Sequence, residues 1–424
     1  MILYRGELHD DSELSGLLGR LESDCLAALA GEPITPELVV SACDSLAQDI
    51  AQGQFNHLLK PFLEAFSIPR SQLEVALSLF TRESLTQKLR LELGEDPAAK
   101  DLPHPGFAPI RRRRYPLGIL LHIAAGNVDG LPAYSVVEGL LAGNINLLKL
   151  PSMDHGASLL LLHELGEREP RLKDFIYVFD VPSTDLASLS TLAEIADGIV
   201  VWGGDEAVTA ARHLAAPNTK LITWGHKLSF AYATAAATDE DLAALARHMC
   251  LTRQLLCSSC QGIFLDTEDM GEVEALGQRF FAILQEENRR HPPADINLRA
   301  RASLHLRTEE LEAHASGRRI LRGGGVSVTV APDSKLELSW LGGNCWVKPL
   351  PHRQLLAALK GQKGYLQTVG LLCAPEEREE LSVLLARAGL VRITEAGEMS
   401  RTLPGEAHDG NYPLRAYSRI VEMV

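Results

Sequence analysis

The chain has 424 residues, 46% hydrophobic and 23% charged, with a formal net charge of −14. That length exceeds one small core, so two or three domains are expected. The acidic balance argues against a general binder of nucleic acid or anionic membranes. Seven cysteines, odd in number and thinly spread, fit reduced thiols in a cytoplasm better than a disulfide framework. The opening MILYRGELHDD lacks the basic start and apolar stretch of a secretory leader. No charge-free apolar run reaches membrane-spanning length. A cytoplasmic protein is expected.

Residues 11–100 read as a run of helices. DDSELSGLLGRLESDCLAALAG carries apolar residues at three- and four-residue spacing and stops at Gly31. Thr35 is a helix cap followed by Pro36, and similar periodicity recurs over Ser71–Phe80 and Thr81–Leu93. GEDPAAKDLPHPGFAPIRRRRYPLG, rich in proline and charge, reads as a connector. From Tyr115 the texture changes. Strand-length apolar runs (LGILLHIAA, INLLKL, FIYVFDV, GIVVWGG, TKLITWG) alternate with helical stretches, which predicts a parallel sheet covered on both faces. A second α/β stretch starts near Lys227, with strands LSFAYAT, QGIFLD, VSVTVA and CWVKPL and a hairpin turn at RGGGVS. The last sixty residues add strand, helix and strand, then a tail containing AHDGNYPLRAY.

Chemistry concentrates in RQLLCSSCQ, residues 253–261. Cys257 follows a helix and precedes a strand in a serine-rich turn, a place for an exposed thiol that forms covalent thioesters. Read without context, two part-buried cysteines at a helix end fit equally well. A zinc site would need a matching second half, and none is present. A thioredoxin-like pair would sit early in a small domain. Elsewhere, Asn127 in HIAAGNVDG ends a buried strand and offers an amide to a developing oxyanion; a plain turn is the alternative. Lys149 closes another strand in GNINLLKLPS. VVWGGDEAV places Gly203 and Gly204 before a helix start that suits a dinucleotide phosphate, although the pattern is not GxGxxG.

Taken in order, YPLGILLHIAAGN, GNINLLKLPS, VVWGGDEAV, LITWGHKLSFAYA, RQLLCSSCQ and HDGNYPL resemble the acyl-CoA reductase (LuxC-like) branch of the aldehyde dehydrogenase superfamily. The likeness runs from about residue 60 to the C-terminus. It implies an α/β, aldehyde-dehydrogenase-like fold with a Rossmann-type cofactor domain and a second α/β catalytic domain. The expected division is a helical region over 1–100 packed on the cofactor domain, a cofactor domain over 101–226, a catalytic domain over 227–365, and a closing segment over 366–424. By position, Cys257 matches the nucleophile and Asn127 the oxyanion-hole amide. Ala124, Ala125, Lys149, Ser152, Gly203, Gly204 and Trp224 match the cofactor site. No metal ligand is implied.

Two departures sharpen the expectation. Aldehyde-oxidising relatives carry a water-activating Glu in the block that here reads TWGHK, and Thr223 stands in its place. Threonine is no general base near neutral pH, so a thioester would survive for reduction. Ser152 stands where NAD-preferring relatives often have a Glu, so a 2′-phosphate meets no repulsion and NADPH is expected over NADH. The implied activity is reduction of an acyl thioester, of CoA or acyl carrier protein, to an aldehyde through acyl-Cys257. An aldehyde dehydrogenase running toward acid or acyl-CoA is the alternative, as is a CxxC redox or metal-binding protein. A homo-oligomer is also implied. Arg111–Arg114 are expected on a solvated connector, and His408–Gly410 are left between an active-site approach and a packed turn. Lys227 and His226 are candidates for activating Cys257, and Glu337 for the nicotinamide ribose. Cys260 reads as a buried thiol, with an off-cycle disulfide to Cys257 as the sharper idea.

Overall fold

Strands buried on both faces need unbroken apolar runs, and the runs after Tyr115 supply them. The computed structural model describes residues 1–55, 77–94, 100–102, 106, 109–124, 130–151, 154, 156–292, 303–311, 313 and 317–423. The chain divides into two compact units, Met1–Gly225 with Leu403–Val424, and His226–Thr402.

The first unit opens with a hairpin of β1 (Ile2–Tyr4) and β2 (Glu7–His9). Helices α1 (Leu14–Ala30), α2 (Pro36–Ala51) and α3 (Arg82–Leu93) follow. The Thr35 hydroxyl caps α2 by accepting from the Leu38 N–H at 3.4 Å. Most of the helix expected over Ser71–Phe80 lies outside the described residues. The stretch read as a connector contains β3 (Lys100–Leu102) and β4 (Ile110–Pro116). A strand carries four consecutive arginines where water reaches both of its faces, and Arg111, Arg112 and Arg113 are all exposed.

The α/β alternation then forms β5 (Ile119–Ile123), α4 (Leu131–Leu141), β6 (Ile145–Lys149), α5 (Ala157–Arg168), β7 (Ile176–Phe179), α6 (Leu186–Glu194), β8 (Gly198–Trp202), α7 (Asp205–Leu214) and β9 (Lys220–Trp224). The sheet order is β2-β1-β7-β6-β5-β8-β9, and β7 through β9 run parallel. The chain enters at β5, moves outward through β6 and β7, then crosses to β8 and β9. That reversal beside β5 is a topological switch point, where open parallel sheets bind ligands at the strands' carboxyl ends.

The second unit contains β10 (Leu228–Ala233), α8 (Asp239–Thr252), β11 (Cys260–Leu265), α9 (Met270–Arg290), β12 (Arg319–Gly323), β13 (Val326–Val330), β14 (Asn344–Pro349), β15 (Leu366–Leu372), α10 (Arg378–Ala388) and β16 (Arg392–Glu395). Its sheet order is β12-β13-β14-β11-β10-β15-β16, with only β12 antiparallel. Gly324 and Gly325, at φ of 61° and 83°, make the two-residue turn expected at RGGGVS. The closing segment divides rather than staying whole. Residues through Thr402 complete the second unit, and Leu403 onward returns to the first. There α11 (Pro413–Ala416) leads into β17 (Ser418–Met423), which pairs antiparallel with β4 in a sheet ordered β17-β4-β3.

The returning tail is fastened to a buried charge cluster. Lys88 of α3 reaches Glu92 at 2.6 Å and Glu138 of α4 at 2.8 Å, all three out of water. Glu92 also accepts from the Leu414 N–H at 2.7 Å, and its carbonyl accepts from Arg415 Nε. Burial pushes the Glu92 carboxyl from 4.5 up to about 7; Lys88 opposes the rise and Glu138 adds to it. A carboxyl raised on folding stabilises the fold while protonated. That contribution is whole below the unfolded value and is lost as pH rises through the folded one. The denaturation midpoint of wild type should therefore fall between about pH 5 and about pH 8 more steeply than that of Glu92→Gln. Parallel pH profiles would remove Glu92 from the account.

Candidate functional site

The turn that carries Cys257 is built from strained backbone held by neutral hydrogen bonds. Helix α8 ends at Thr252, and Arg253 and Gln254 both adopt left-handed φ, at 53° and 59°. Each such residue costs about 1–3 kcal/mol, so the surroundings must over-determine it. The Gln254 side chain does this. Its amide donates to the carbonyls of Cys260 (2.9 Å) and Asn344 (3.0 Å) and to Ser339 Oγ (3.2 Å), while its oxygen accepts from the Gly343 N–H at 2.9 Å. Gln261 accepts from both the N–H and the hydroxyl of Ser339, which fastens the same segment a second time. The Cys257 carbonyl accepts from Ser229 Oγ at 2.7 Å, and Ser229 Oγ accepts from the Thr368 N–H at 3.1 Å. Cys257 is thus exposed on a fixed turn at the amino end of β11.

Its neighbour is different. Cys260 is fully buried, donates to the Gly262 carbonyl at 3.2 Å, and is pushed by burial up to about 12. Burial disfavours the thiolate that attacks a disulfide or a sulfenic acid, which favours the buried-thiol reading of Cys260. Among the described residues no group of three or more His, Cys, Asp or Glu side chains is placed to hold a metal. Lys227 donates to the Gly364 carbonyl at 2.8 Å. Glu337 is engaged by Lys348 at 2.7 Å and by Arg318 at 3.0 Å, an ion cluster that fixes its segment.

In the first unit, the described cofactor candidates share one edge of the sheet. Ala124 follows β5, Lys149 ends β6, Gly203 and Gly204 follow β8, and Trp224 ends β9. Lys149 is buried at the strand end, donates to Ser183 Oγ at 3.2 Å, and burial pulls its ammonium below the usual lysine value. Gly204 caps α7 with open space where a Cβ would stand, so a ligand can approach the helix N-terminus. The Gly203 N–H donates to the Trp224 carbonyl at 3.2 Å. The Trp224 indole is itself buried, packed at 5.5 Å on Trp202, so it supports this edge from beneath. Thr223, in the place of the water-activating Glu, is exposed on β9. Asn127, Ala125 and Ser152 lie outside the described residues.

Beneath this edge runs a relay that sequence reading missed. Trp202 Nε1 donates to Ser135 Oγ at 3.0 Å, Ser135 Oγ meets His122 Nδ1 at 2.7 Å, and His122 Nε2 meets Asn146 Oδ1 at 3.0 Å. Burial lowers His122 to about 4, which keeps the ring neutral. Gly139 is required here, because a Cβ would stand 1.8 Å from Asn146 Oδ1. The available signal was one histidine inside the apolar run LGILLHIAA.

Comparison with known proteins gives consistent results. The family model for acyl-CoA reductase (LuxC) matches residues 35–420. The long-chain acyl-protein thioester reductase of Aliivibrio fischeri is 24% identical over 377 residues, covering 86% of this chain and 76% of that protein. Long-chain acyl-protein thioester reductase 2 of Photobacterium leiognathi is 26% identical over 314 residues, 71% of this chain and 63% of that one. This chain therefore spans about two thirds to three quarters of those relatives' length. The structure of a putative aldehyde dehydrogenase PutA from Anabaena variabilis superposes with a TM-score of 0.71 at 15% identity, covering 98% of this chain and 93% of that one. The fold is that of aldehyde dehydrogenases, as the sequence led us to expect.

Cysteine environments give a direct check on the nucleophile. Burial raises Cys25, Cys43 and Cys260 to about 12 and Cys250 to about 11, and it raises Cys345 further and Cys373 less. Alkylation of the native protein followed by peptide mass mapping should label Cys257 first, Cys373 slowly, and the rest only on unfolding. Labelling of Cys260 at the rate of Cys257 would contradict this.

Proposed function

Because the chain belongs to the acyl-CoA reductase (LuxC) family, we propose that it reduces an acyl thioester to an aldehyde through a covalent acyl-Cys257 intermediate. The observation that carries this reading is the exposed Cys257 on a turn locked by Gln254 and Ser229. A nucleophile held in one geometry avoids the ordering cost of the acyl-transfer step. The Cys257 sulfur attacks the thioester carbonyl. Asn127 and the Cys257 N–H hold the oxyanion, as the family resemblance implies, and the carrier thiol leaves. NADPH, held at this edge, would supply the hydride that takes the acyl carbon to the aldehyde level. Breaking the C–S bond at Cys257 then frees the aldehyde, and the sulfur takes up the proton as the Cys257 thiol. Thr223 offers no carboxylate to activate water, which favours reduction over hydrolysis and over an aldehyde dehydrogenase forming acid.

The residues present fit a dinucleotide. Lys149 offers an ammonium at a strand end with no carboxylate among the described residues within ion-pair distance, and Gly204 leaves the α7 terminus open. We take Lys149 and Ser152 for the adenosine ribose, Gly203 and Gly204 for the pyrophosphate, and Ala124 and Ala125 for the nicotinamide side, with NADPH preferred and NADH second. The acyl carrier is CoA or an acyl carrier protein. A reducing compartment such as the cytoplasm suits seven cysteines of which none is in a disulfide. Among the described residues no helix is long and apolar enough to cross a membrane.

A homo-oligomer is part of the same reading. The β17-β4-β3 sheet exposes Tyr115 and Met423 on one face and Ile420, 58% exposed, on the other, and Arg111–Arg113 stand in water. Its outer strands leave open edges that invite pairing. A second copy of this chain pairs there.

Two measurements test the reading. Mixing the protein with an acyl-CoA panel and NADPH should consume cofactor and release thiol together. Without NADPH, thiol release should stop near one equivalent as mass accumulates on the Cys257 peptide. Cys257→Ser should reduce both to background; a wild-type rate in that variant would sink the mechanism. Sedimentation should show an oligomer that Ile420→Glu with Met423→Glu shifts to a smaller species. A wild-type monomer would remove the oligomer from the proposal.

A further inference from the structure

The HDG motif has no role in the mechanism so far, yet its turn is built with care. The His408 N–H donates to the Asn411 carbonyl and the Asn411 N–H to the His408 carbonyl, both at 2.8 Å. Asp409 sits at φ 48° and Gly410 at φ 76°. A left-handed non-glycine residue persists only where its surroundings enforce it. The turn lays the His408 ring on two indoles, 5.0 Å from Trp202 and 5.0 Å from Trp224 between centroids. Nearby in the tail Pro413, Leu414 and Tyr417 are buried, and the Tyr417 hydroxyl accepts from Trp224 Nε1 at 3.4 Å. Against that background the His408 side chain is 41% exposed, its Nε2 3.8 Å from the Asp409 carboxylate.

The backbones of those two tryptophans hold the Gly203 turn. Trp202 precedes Gly203 in the chain, and the Trp224 carbonyl accepts from the Gly203 N–H. His408 therefore stands over the carboxyl ends of β8 and β9. Lys149 ends β6, with β5 lying between β6 and β8. At about 4.8 Å per strand, Lys149 lies roughly 10 Å from the β8 row and roughly 14 Å from the β9 row. A dinucleotide with its adenosine ribose at Lys149 and its pyrophosphate at Gly203–Gly204 extends its other half toward β9. Helix α7 opens with Asp205 and Glu206 in its first turn, negative charges near its positive terminus. Affinity at that end has to draw on other contacts.

We propose that His408 contacts the nicotinamide half of the bound dinucleotide, its imidazole edge hydrogen-bonding the carboxamide or the adjoining ribose. The proposal rests on the reductase reading and adds the C-terminal tail to the cofactor site.

The test is binding rather than turnover. NADPH is titrated by energy transfer from tryptophan to the bound nicotinamide, and adenosine 2′,5′-bisphosphate by calorimetry as a probe of the adenine half alone. His408→Ala should weaken NADPH about tenfold, the loss of one good hydrogen bond, and leave the bisphosphate unchanged. His408→Gln, which keeps a donor, should recover most of the loss. Unchanged NADPH affinity in His408→Ala overturns the proposal. So does equal weakening of both ligands, which would mean the tail only holds the unit together. Failure of wild type to bind either NADPH or NADH would sink the reductase reading as well. Thiol release from acyl-CoA without cofactor tests that reading separately.

Discussion

The hydrogen bond from the Leu414 N–H to the Glu92 carboxylate joins residues 322 apart in sequence, and the first unit depends on it. Through Glu92 the tail meets Lys88, and through Lys88 it meets Glu138 on α4, the helix that follows β5. Buried charges of this kind add little against an apolar alternative, but removing one partner strands the others at a cost of about 3–5 kcal/mol. The cluster therefore specifies an arrangement more than it deepens a well. It fixes where the tail lies, and so where His408, Tyr417 and β17 can be.

Two sorts of preorganisation meet in this chain. The cofactor edge uses the fold itself, with parallel strands reversing direction beside β5 and a helix terminus opened by Gly204. The nucleophile's turn uses local strain, two left-handed residues pinned by a saturated glutamine. Neutral amides suit that task. A carboxylate in place of Gln254 would face the carbonyls of Cys260 and Asn344 with no proton to offer.

Much of this was legible in the residues. Apolar runs and cap signals such as Thr35–Pro36 located the α/β elements, because burial on both faces leaves no polar position to confuse the period. The serine-rich turn pointed to an exposed thiol, and Cys257 is exposed. The IRRRRYP strand escaped, since an exposed strand in an antiparallel sheet has no apolar alternation to announce it. So did the return of the tail, which is a long-range pairing and leaves no local trace. Gln254, Ser229 and His122 were equally silent. Their roles depend on partners 6 to 139 residues away in the chain, and spacing alone does not reveal such meetings.

The split of the first unit across the chain has a consequence for the ribosome. Residues 226–402 emerge whole before β17 exists, so the unit that carries Cys257 has its full sheet while the first unit still lacks its last strand and the His408 turn. Domains fold as units during synthesis, and a half-built one exposes its unpaired edges meanwhile. For this protein the exposed edge is β4, and its run of arginines keeps that waiting strand charged and soluble until its partner arrives.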